Sequence, residues 1–80
     1  MKAIVDIYLK QGVLDPQGKA VHHALHSLGF NEVTDVRVGK QIVLQLDESD
    51  EEKATQRVKE MCETLLANTV IEDYKIEIVK

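Results

Sequence analysis

Eighty residues make one domain, 1–80, and a chain this short buries only about 60–65% of the surface its unfolded form exposes. A formal net charge of −4 argues against phosphate-backbone binding, which needs clustered Lys and Arg. The single cysteine, Cys62, excludes an intrachain disulfide and a cysteine metal cage, so association with other subunits is the remaining common support for so small a core. No apolar run approaches the ~20 residues of a membrane span. The start, Met1-Lys2-Ala3-Ile4-Val5-Asp6, meets charge too early for a signal sequence. The expectation is a soluble, cytoplasmic protein that binds neither nucleic acid nor membrane.

Residues 2–10 alternate, with Ala3, Val5, Ile7 and Leu9 on one face, as in a half-buried strand. Val13-Leu14-Asp15-Pro16-Gln17-Gly18 then marks a helix start. Asp15 is placed to cap the free N–H groups, and Pro16 suits the first helical position because it has no N–H to leave unpaired. Gly18 is the residue this account leaves over, since glycine weakens a helix. Its presence suggests close approach of another backbone, from the same sheet or a second chain.

The spacing of Ala20, Val21, Ala24, Leu25 and Leu28 predicts an amphipathic helix over 16–28. Gly29 stands where a left-handed terminator is wanted, and Phe30 is expected to fold back onto the helix end. Over 33–47, Val36, Val38, Ile42, Leu44 and Leu46 keep one parity across Gly39. A long strand bent at Gly39 preserves that parity, and so does a hairpin with a three-residue loop. The bent strand is preferred and the hairpin stays open.

Ser49 with Glu52 reads as a capping box, and the acidic run Asp50-Glu51-Glu52 suits the positive end of a helix dipole. Ala54, Val58, Met61, Cys62 and Leu65 form the expected buried stripe of this second helix, with Asn68 as a left-handed stop. Tyr74, Ile76 and Ile78 share one face of a last strand over 71–79. The fold class is α+β, in the order β-α-β(β)-α-β. It has an antiparallel sheet of three long strands, the middle one bent at Gly39 or split into a hairpin, with two helices on one face.

Candidate chemistry is sparse. His22 and His26, one turn apart, are metal ligands by spacing, but no carboxylate or cysteine joins them and a solvated helix face is the better reading. Cys62 on the apolar stripe reads as core packing rather than a nucleophile. The acidic cluster Asp47, Glu48, Asp50, Glu51 and Glu52 lacks the glycine and spacing of a calcium loop. Arg37 and Lys40 flank Gly39, where they suit an anion or a partner carboxylate, although ordinary surface salt bridges are the commoner use. There is no phosphate-binding glycine loop, no nucleophile with an evident base and no paired carboxylates. No catalytic residue and no metal site is expected, and an independent enzyme is disfavoured.

The Asp15-Pro16-Gln17-Gly18 start continues through Ala20-Val21-His22-His23-Ala24-Leu25-His26-Ser27-Leu28-Gly29-Phe30. Asp35-Val36-Arg37-Val38-Gly39-Lys40 follows, and then Leu65-Leu66-Ala67-Asn68-Thr69-Val70-Ile71-Glu72-Asp73-Tyr74. In this order and spacing the segments closely resemble the PurS family over nearly the whole chain. PurS is the small subunit of phosphoribosylformylglycinamidine synthase, which converts formylglycinamide ribonucleotide to its amidine in purine biosynthesis. The resemblance implies a non-catalytic subunit that supports assembly of PurL, the ATP-dependent ligase, with PurQ, the glutaminase, and helps transfer ammonia between them. It implies a homodimer or larger assembly of this chain. ATP and magnesium are used by the complex, and no cofactor is expected on this chain. Asp15, Gly18, Arg37, Lys40, Asn68 and Asp73 are the candidate partner-interface residues, because they lie in the family-like segments and at element ends. The mixed sheet face with Asp35, Arg37, Gln41, Val43 and Gln45 is expected to be partly covered by another subunit. The alternative function is a free-standing regulatory module that binds a small ligand.

Overall fold

The alternation at the N-terminus forms the centre of the sheet. In the computed structural model, which describes residues 1–80, β1 spans Lys2–Leu9 and lies between two antiparallel neighbours. These are β2 (Lys40–Gln45) on one side and β3 (Glu72–Val79) on the other, giving the order β2-β1-β3. The register puts the apolar parities of all three strands on one face. Ala3 lies opposite Leu44 and Ile78, and Val5 opposite Ile42 and Ile76. Ile7 lies opposite Lys40 and Tyr74, so Lys40 shares the apolar parity at the strand's end.

Helix α1 spans Pro16–Ser27 and α2 spans Glu51–Met61. The element order is that of the expected α+β fold. Helix α2 covers the sheet. Val58 and Cys62 pack with Ala3, Val5 and Ile7, and Ile42, Leu44, Ile76 and Ile78 close around them. Each fully buried Val or Ile side chain contributes on the order of 1.5–3 kcal/mol.

Helix α1 departs from the expected two-helix layer. It makes almost no contact with the sheet or with α2. Its Val21 and Leu28 are exposed, with only Leu25 of the apolar stripe half-buried. Dimensions supply the reason. Strands lie about 4.8 Å apart, so three of them present a face little wider than the roughly 10–12 Å diameter of one helix. Helix α2 fills that face alone. The molecule is therefore extended, at 48 × 26 × 14 Å, with a radius of gyration of 16.0 Å. A compact 80-residue domain would have about 12 Å.

The middle strand is also shorter than expected. The ladder begins at Lys40, and residues 33–39 continue beyond it unpaired with the sheet. The expected antiparallel sheet of three strands forms, but its middle strand starts after Gly39, so neither the bend within a long strand nor the hairpin is present. The N–H of Val38 is instead taken by the Asp15 carboxylate, 2.8 Å away, which draws the segment out of the ladder. Gly39 permits the crossing, because a Cβ there would stand 2.7 Å from the Ile7 carbonyl oxygen.

Helix ends follow local chemistry, with three corrections. Asp50, not Ser49, caps α2, accepting from the N–H groups of Glu52 and Lys53. Asn68 is not left-handed, since only Gly12 and Gly29 have positive φ. Asn68 ends the helix by accepting from the N–H groups of Val70, Ile71 and Glu72. Leu65 leaves the apolar stripe because α2 passes into a π-helical turn over Cys62–Leu66. The Ala67 N–H reaches back five residues to Cys62, and the wider turn rotates Leu65 to 81% exposure while Ala67 is buried. Gly29, at φ +96°, terminates α1 as expected. The Phe30 N–H bonds the Leu25 carbonyl and the Gly29 N–H that of His26, so both free carbonyls are used.

Candidate functional site

The residues singled out around the first helix start meet in a joint between α1 and segment 36–39. Asp15 is buried and uses both carboxylate oxygens. Oδ1 accepts from the Gly18 N–H and Oδ2 from the Val38 N–H, each at 2.8 Å. The Val38 bond, then the Gly18 bond, hold its pKa below the usual carboxylate value, with the Arg37 charge adding to them. Gly18 is buried beside Asp15, and a Cβ there would collide with the Val36 carbonyl oxygen. The close backbone approach suggested by this glycine is therefore to its own chain, at a segment outside the sheet. Arg37 adds a second tie, donating through Nη1 to Val13 O at 3.1 Å and through Nη2 to Lys10 O at 3.2 Å.

The other candidates lie elsewhere. Lys40 and Glu72 approach to 3.9 Å, as do Lys10 and Asp73. Such half-exposed pairs contribute about 0–1 kcal/mol, so Lys40 and Asp73 remain accessible to a partner. Asn68 organises the turn into β3, whose tip displays Val70. Cys62 is fully buried in the core cluster, and desolvation pushes its thiol pKa up. Tyr74 donates to Glu63 Oε2 at 2.7 Å, and this bond pushes its pKa up to about 12.

No three His, Cys, Asp or Glu side chains come together, and no buried side-chain polar atom lacks a partner. The arrangement orients an arm, formed by α1 and its following turn, against a sheet. It also exposes apolar side chains along that arm, at Val21, Leu28 and Phe30, and just before it at Leu14. Sequence reasoning placed the stripe in the core. The width of a three-stranded sheet was the signal that one helix would be left over.

An isosteric change at Asp15 tests the joint. In Asp15→Asn an amide NH2 must face one of the two N–H donors, so one bond is replaced by a donor–donor contact. The expected result is a lower urea midpoint at pH 7. The folded carboxyl is more acidic than the unfolded one, so the wild type's advantage is full above about pH 4. It shrinks as pH falls through the folded pKa. A difference independent of pH between 2 and 7 would contradict the assignment.

Comparison with known proteins decides the family. The family model described as "PurS: Phosphoribosylformylglycinamidine (FGAM) synthase" matches residues 2–80. The chain belongs to the PurS family. It is 58% identical over 77 residues to the phosphoribosylformylglycinamidine synthase subunit PurS of Bacillus subtilis, covering 96% of this chain and 90% of that one. The crystal structure of Methanocaldococcus jannaschii PurS has a TM-score of 0.90 at 49% identity, covering 99% and 95% of the two chains. A chain in the structure of PurLQS from Thermotoga maritima has a TM-score of 0.89 at 33% identity, covering 98% and 95%. The PurS fold is thus shared along the whole chain, exposed arm included.

Proposed function

We propose that this chain is the non-catalytic assembly subunit of phosphoribosylformylglycinamidine synthase, joining the ligase PurL to the glutaminase PurQ and supporting ammonia transfer between them. The observation that carries the proposal is a family fold whose first helix leaves Val21 and Leu28 of its apolar stripe uncovered by its own chain. The PurLQS structure from Thermotoga maritima supports the choice of partners. In the proposed complex, ATP and magnesium belong to the large subunit's chemistry, and the assembly role needs no cofactor on this chain. The working compartment is the cytoplasm. No helix is long and apolar enough to cross a membrane.

The physical need is transfer without loss. Ammonia released into water at neutral pH becomes mostly ammonium and loses its nucleophilic lone pair. A subunit that fixes the distance and orientation of two active sites limits that loss. A second copy of this chain covers the α1 stripe, because twelve residues of amphipathic helix are marginal without a packed apolar face.

Reconstitution tests the role. PurL, PurQ and this chain are mixed, and amidine formation is measured with glutamine and, separately, with ammonium salts. Omitting this chain should abolish the glutamine-dependent reaction and spare the ammonia-dependent one. Undiminished glutamine-dependent activity without the chain, or amidine formation by the chain alone, overturns the proposal.

A further inference from the structure

We draw no further inference here: the strongest candidate, the exposed apolar surface of Leu65 and Val70 between the π-helical turn and β3, carries none because nothing in the structure shows what covers it.

Discussion

Gly18→Ala is expected to destabilise the chain by about 2 kcal/mol, although alanine is the best helix former. Two effects oppose each other. In an exposed helix the substitution stabilises by about 1 kcal/mol. At this position the new methyl meets the Val36 carbonyl oxygen and, at 2.9 Å, Asp15 Oδ2. Overpacking of this kind costs about 3 kcal/mol when the obstacle is backbone and cannot rotate away. Relief requires segment 36–38 to move, and that movement breaks the Val38–Asp15 bond. Urea denaturation of the variant beside the wild type reads the net of the two terms. A Gly18→Ala midpoint equal to or above the wild type would show that Val36 does not constrain this turn.

The same residue shows what the sequence discloses and what it hides. Asp15, Pro16 and Gly18 announce a helix start and a close contact, because capping and steric exclusion are local rules. The contact's identity is not local. Val36 is eighteen residues away and belongs to no strand, so no periodicity points to it. The parities of β1, β2 and β3 were legible because one buried face imposes a period of two along all three strands. The length of β2 was not. Whether Val38 pairs with a strand or with a carboxylate depends on a tertiary contact that its own sequence cannot reveal. Leu65 follows the same logic. Helical spacing assigns it to the buried stripe, and the π-helical turn removes it. For the candidate site, the sequence supplies no nucleophile with an evident base. The Val33 carbonyl that accepts from both His22 and His26 was invisible because every residue has one.

The largest change in assembly should come from Val21→Lys combined with Leu28→Lys. Both side chains are exposed in the single chain, Leu28 at 73%. The substitutions therefore remove no intramolecular packing, and each should alter the folding of one chain by no more than about 0.5 kcal/mol. Across a two-fold interface every substitution acts twice, because the same patch serves both partners. Each side chain withdrawn from such an interface costs on the order of 1–2 kcal/mol, and placing lysine against lysine adds repulsion. The dimer should thus weaken by at least about a hundredfold. Sedimentation equilibrium of the wild type at micromolar concentration should give about twice the 9.0 kDa chain mass, and the double variant should give the single mass. A monomeric wild type, or an unchanged mass in the variant, would remove α1 from the interface. Its stripe would then have to be covered by PurL or PurQ. The reconstituted reaction separates these cases: loss of glutamine-dependent activity with an intact dimer assigns the stripe to a catalytic partner, and loss of both assigns it to the second copy.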